Sequence, residues 1–137
     1  MKENTGKNSK KLRNNFSIDK LELLVTIVPR KKGDFYIDFI QSFECNMQFS
    51  CLGEGTASNE LLNMLGLLSK EKTVIFSLVQ SEKIPIILSS IESKFNTIKD
   101  GKGIAYTIPL SSIIGLQVFK FLYNKRSELL KGDSYAI

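Results

Sequence analysis

The chain contains no histidine and no tryptophan among its 137 residues. Without an imidazole it lacks the side chain that titrates near neutrality, so Ser-His-Asp triads, Cys-His pairs and His-ligated zinc sites are excluded. Cysteine is almost as scarce, with only Cys45 and Cys51. Read as members of one strand they stand about 20 Å apart, far beyond the ~6 Å of a disulfide, and both are expected as reduced structural thiols. A metal pair of this spacing needs two further ligands, and none is evident. No apolar run approaches the ~20 residues of a membrane span, and no apolar segment follows the basic start as in a signal peptide. A cytoplasmic, non-enzymatic protein is the expectation.

What is present is an ordinary globular composition, 42% hydrophobic and 24% charged, at a length that suits one domain. The formal charge of +5 is unevenly placed, since the first twenty residues carry +4 of it. Residues 1–18 are expected to form a disordered basic tail. It reads either as a solubilising leader or as an arm for nucleic acid or an anionic membrane surface. A core domain is expected over 19–116 and a C-terminal helix and tail over 117–137.

Along the core, Leu21, Leu23, Val25 and Ile27 alternate with Glu22 and Thr26, which predicts a strand closed by Pro29. Arg30, Lys31 and Lys32 read as a solvated loop, or as one facing an anionic ligand or partner. Asp34 is the expected N-cap of a helix whose stripe is Phe35, Tyr36, Phe39, Ile40 and Phe43. Met47, Phe49 and Cys51 mark a second strand over 46–52, ended by Gly53-Glu54-Gly55. Ser58 then caps a short helix bearing Leu61, Leu62, Met64, Leu65 and Leu68. A third strand spans 72–80. A helix opens at Ser81 or Glu82 with Pro85 in its first turn and a stripe of Ile84, Ile87, Leu88, Ile91 and Phe95. A fourth strand over 104–110 ends at Pro109 near a sheet edge, followed by a short added strand at 111–116 and a helix over 118–130. The order is strand-helix-strand twice, which predicts an α+β, ferredoxin-like βαββαβ sandwich with a four-stranded antiparallel sheet and two helices on one face. The other face is left bare, so oligomerisation is expected.

Two segments could carry chemistry. Lys99, Gly101, Lys102 and Gly103 form a loop whose glycines let backbone N–H groups approach an anion while the lysines supply charge. The same residues also read as a helix-to-strand turn with Gly101 at positive φ and solvated lysines. Gly53 and Gly55, with Thr56 after them, end a strand in a tight turn or line a cleft. Glu54 and Glu60 flank that region, but no nucleophile or metal cluster accompanies them for acid/base work.

With these residues in place the chain, from Leu21 to Gly115, resembles the PII-like signal-transduction superfamily, the nitrogen regulatory PII proteins. The most specific stretch runs from Thr73 through Asn96-Thr-Ile-Lys-Asp-Gly-Lys-Gly-Ile-Ala-Tyr106. The resemblance implies a homotrimer with an adenine nucleotide, ATP, ADP or AMP, bound in inter-subunit clefts, and no metal needed for folding. It implies that Lys99, Gly101, Lys102 and Gly103 wrap phosphate, while Gly53, Gly55 and Thr56 lie on the nucleoside side. It also implies a protein target such as a membrane transporter or a metabolic enzyme. Two features depart from that pattern: Glu54–Glu71 replaces a long effector loop, and no arginines stand near 113–116 at the end of the last strand. A second class of function, a ferredoxin-like nucleic-acid module using the basic tail, lacks the aromatic RNP1 pattern, since Phe76 stands alone on its strand.

Overall fold

The chain alternates β-branched and leucine-rich runs with amphipathic ones, and a computed structural model places residues 20–67 and 70–123. The basic tail and residues 124–130 of the expected C-terminal helix lie outside the described residues. Strand β1 is Leu21–Pro29, helix α1 is Gly33–Gln41, and strand β2 is Met47–Glu54. Helix α2, Asn59–Met64, leads to strand β3, Glu71–Gln80. Helix α3, Ile84–Thr97, strand β4, Ile104–Pro109, and helix α4, Leu116–Leu122, complete the order.

The fold is α+β, with one four-stranded antiparallel sheet in the order β2-β3-β1-β4. Pairing fixes which side chains share a face. Leu24, Val28, Ile75 and Val79 point to one side and pack with Tyr36 and Ile40 of α1 and Ile84, Ile87 and Ile91 of α3. At about 25 cal/mol per Å² of apolar area, these fully buried side chains are the main source of stability.

The opposite face is formed by three paired rows: Met47, Leu78, Leu23 and Ile108; Phe49, Phe76, Val25 and Tyr106; Cys51, Val74, Ile27 and Ile104. Every one of these side chains is apolar or nearly so, yet Phe49, Ile104, Tyr106 and Ile108 are exposed. Phe49 and Phe76 stack at 5.1 Å. Among the described residues one end of this face is covered, where Leu122 and Tyr123 pack on Leu21 and Leu78. Asn46 and Gln80 donate to the Phe121 and Tyr123 carbonyls at 2.6 and 2.7 Å, which ties that cover down.

Several local expectations are corrected. Asp34 does not cap α1. Residues Arg30–Lys32 wind into a 3-10 turn, Lys32 takes the cap position without a side-chain bond, and Asp34 falls in the first turn. There its carboxylate complements the helix dipole instead. Cys45 precedes β2 and is buried, whereas Cys51 lies on β2 and is exposed. Strand β2 does not stop before the glycines: Gly53 pairs with Lys72 and Glu54 with Glu71. Residues 111–115 form no strand. The cap at Ser58 is as expected, its hydroxyl accepting from the Leu61 N–H at 3.3 Å.

Candidate functional site

Both candidate segments converge on one end of the sheet, where β1 and β2 finish and β3 and β4 begin. Helix α3 ends at Thr97, and the Ile98 N–H still bonds the Lys94 carbonyl at 2.9 Å. The chain then reverses through Asp100, whose φ of 58° lies in the left-handed region. Aspartate tolerates that region through local side-chain hydrogen bonding. The left-handed residue is therefore Asp100 and not Gly101.

Gly101 has a different reason to be glycine. It is buried, and a Cβ there would stand 2.8 Å from Ile98 Cγ2 and 3.2 Å from the Tyr36 hydroxyl. Its carbonyl accepts from that hydroxyl at 2.7 Å, a buried bond between residues 65 apart in sequence. Gly103 is pressed against β1, because a Cβ would strike the Ile27 carbonyl oxygen and meet Val28 Cγ1 at 3.0 Å. Around these anchors Lys99, Asp100 and Lys102 are exposed. The loop is thus a rigid backbone that presents two cations and one anion outward.

Beside it lies a cleft of about 240 Å³, lined by Lys99, Asp100 and Lys102, by Pro29 at the end of β1, and by Gly66 and Leu67. The last two belong to the connection from β2 to β3, so that connection reaches the lysine loop within one chain. Cluster size bounds the chemistry: among the described residues no group of three or more His, Cys, Asp or Glu side chains could hold a metal ion.

Gly53, Gly55 and Thr56 do not line this cleft. Gly53 lies on β2, the opposite edge strand, and Gly55 and Thr56 follow its end, separated from β4 by β3 and β1 at three strand spacings, roughly 14 Å. Nothing within the chain demands glycine there. A Cβ at Gly53 would meet only Val74 Cγ2 at 3.6 Å, and one at Gly55 only the Lys70 carbonyl at 3.5 Å. Both are ordinary contacts, so a side chain would be tolerated at these half-buried glycines, whereas at 101 and 103 it would clash.

Two residues join the site that sequence alone did not single out as such. Arg30, following Pro29, donates to the Gly53 carbonyl at 3.2 Å and pairs with Glu71 at 3.3 Å. It therefore clasps the base of the β2–β3 connection instead of standing in a solvated loop. Tyr36 holds the lysine loop from beneath. Its sequence signal was only membership of an aromatic stripe. Glu54 and Glu60 are both exposed.

No protein-family model and no curated protein matches the chain. Among the described residues no helix is long and apolar enough to cross a membrane.

Proposed function

We propose that the chain is a non-enzymatic, PII-like regulatory protein of ferredoxin-like fold. Three copies assemble and bind a small anionic ligand of the adenine-nucleotide class in clefts between them. The fold reading is supported by the sheet order, in which β3 lies between β1 and β2 and β1 lies between β3 and β4. Each strand-helix-strand half is then a split unit, as in ferredoxin-like sandwiches.

The observation that carries the functional reading is the division of the site. The glycine segment ends one edge strand and the lysine loop starts the other, both at the same end of the sheet. Setting the β2 edge of one copy beside the β4 edge of the next brings the two together. The uncovered apolar face supplies a reason for copies to associate, because such a patch on a lone molecule is a liability. Lys99 and Lys102 attract the phosphates, and the side-chain-free backbone at Gly53 and Gly55 lets the nucleoside approach. The connection from β2 to β3 contributes Gly66 and Leu67 to the cleft, so a ligand there shifts its position and alters the surface offered to a target protein. A transporter or a metabolic enzyme is the target class. The nucleic-acid alternative finds aromatic rings on the open face, Phe49, Phe76 and Tyr106, but the three rows contain no basic side chain to meet a phosphate backbone.

Calorimetric titration with ATP and ADP tests the assignment. A charge-assisted contact is worth about 1.5–3 kcal/mol, so Lys102→Ala is expected to weaken nucleotide binding at least about tenfold. Equal affinity in wild type and variant overturns it.

A further inference from the structure

Tyr36 is the most deeply placed polar group near the lysine loop, fully buried in α1 while its hydroxyl reaches the Gly101 carbonyl at 2.7 Å. Its ring is fixed from two sides, by Phe35 at 5.1 Å and by Phe95 at 5.4 Å. The hydroxyl therefore has little freedom to follow the loop; the loop is held to the hydroxyl. A trans peptide points its C=O and the next residue's N–H in opposite directions. With the Gly101 carbonyl turned inward to Tyr36, the N–H of the same peptide, that of Lys102, points the opposite way, and Lys102 is itself exposed.

We infer that Tyr36 is a positioning residue for anion binding: by holding the Gly101 carbonyl it aims the Lys102 amide outward, so that one residue offers a phosphate group both an N–H and an ammonium. The inference rests on the proposed function and adds to it a residue that never touches the ligand. Oriented backbone N–H groups bind anions through fixed partial charge, so their orientation matters as much as their presence. A loop free to rotate this peptide would present the carbonyl oxygen to the phosphate and repel it. The fit is mutual, since any side chain at position 101 would crowd the same hydroxyl.

The test compares wild type, Tyr36→Phe and Lys102→Ala, titrated with ADP and with inorganic pyrophosphate. Affinity is read by calorimetry and the Lys102 amide by ¹⁵N–¹H correlation spectra. Tyr36→Phe removes one hydroxyl and is expected to weaken both probes about five- to tenfold, the scale of one lost hydrogen bond. It is also expected to diminish the shift of the Lys102 amide at saturation. A purely structural tyrosine would lower the melting temperature while leaving that amide's response and the affinity of the folded protein unchanged. Weaker binding in Lys102→Ala with unaltered binding in Tyr36→Phe overturns the role of Tyr36 and leaves the site standing. No binding of either probe by wild type overturns the site and this inference with it. Should Tyr36→Phe fail to fold, the wild-type titration decides: a Lys102 amide that does not respond to pyrophosphate refutes the proposed orientation.

Discussion

Phe49 bears on both the stability of the chain and its association. It sits on edge strand β2, 57% exposed, with one face of its ring stacked on Phe76. Truncation to alanine costs the folded chain the stacking contact, about 1 kcal/mol, and the covered share of the ring, about 90 Å² or roughly 2 kcal/mol, which the melting temperature reads. If a neighbouring copy covers the open face, a further loss falls on association. A phenylalanine side chain offers on the order of 200 Å², of which the exposed share is about 110 Å²; at 25 cal/mol per Å² its cover is worth roughly 3 kcal/mol per copy. Phe49→Ala should therefore raise the dissociation constant more than about 100-fold per copy. Light scattering on a dilution series reads this directly, wild type giving about three times the 15.4 kDa chain mass. Phe35→Ala is the control, a similarly exposed aromatic at 41% on the helical layer, and should leave the mass unchanged. A wild type that stays at 15.4 kDa at tens of micromolar, or a Phe49→Ala protein that dissociates no more readily, refutes the reasoning.

Two further outcomes follow from the packing. Gly103→Ala forces a methyl group into the Ile27 carbonyl and against Val28, and because the obstacle is backbone the start of β4 must move. Urea denaturation should show a loss of about 2 kcal/mol or more, and a loss below ~0.5 kcal/mol would mean that the strand edge yields freely. Burial raises the Tyr36 hydroxyl and the Cys45 thiol above their ordinary values of 10.0 and 9.0. Each folded-state group keeps its proton longer than the unfolded one, so the stability they give is fully present below pH 9 and is lost as the pH climbs through the folded values. The urea midpoint should hold from pH 7 to 9 and fall steadily toward pH 11. A flat profile contradicts the burial.

Periodicity made the elements legible, because an alternation of two and a stripe of 3.6 are direct projections of strand and helix geometry onto sequence. The stripe Ile84, Ile87, Leu88, Ile91 and Phe95 became the core face of α3 for that reason. The corrections arose where tertiary pairing outweighed local preference. Gly53 reads as a strand breaker, yet β3 supplies Lys72 as its partner, and an edge strand has room for a residue without a side chain. Asp34 has the chemistry of a cap, but the three residues before it coil into a 3-10 turn and move the helix start past it. The site was legible only in part. Lysines and glycines in one loop can be seen in sequence, whereas a tyrosine that holds such a loop from another helix looks like any other core aromatic. Arg30 likewise looked like the lysines beside it until its reach to Gly53 and Glu71 set it apart.

Strand β1 carries the argument one step further. Its sequence, Leu-Glu-Leu-Leu-Val-Thr-Ile-Val-Pro, alternates only at Glu22 and Thr26, and the face expected to be polar also carries Leu24 and Val28, which pack in the core. An antiparallel strand with one wet face keeps a clean alternation, and a near-continuous apolar run belongs to strands covered on both sides. Helices α1 and α3 account for Leu24 and Val28, and they cannot reach Leu23, Val25 or Ile27 on the other face. Those residues pair across to Ile108, Tyr106 and Ile104 on β4, all of them exposed. Within the described residues α4 shields only the Leu21 end. The composition of β1 therefore matches a sheet with two dry faces, while among the described residues the second keeps only Leu21 and Val25 of β1 buried and leaves the β2 and β4 side chains of that face exposed. A second copy laid on this face gives β1 the environment its sequence suits, a contact separate from the edge-to-edge one that sets the lysine loop beside the glycine segment of a neighbour.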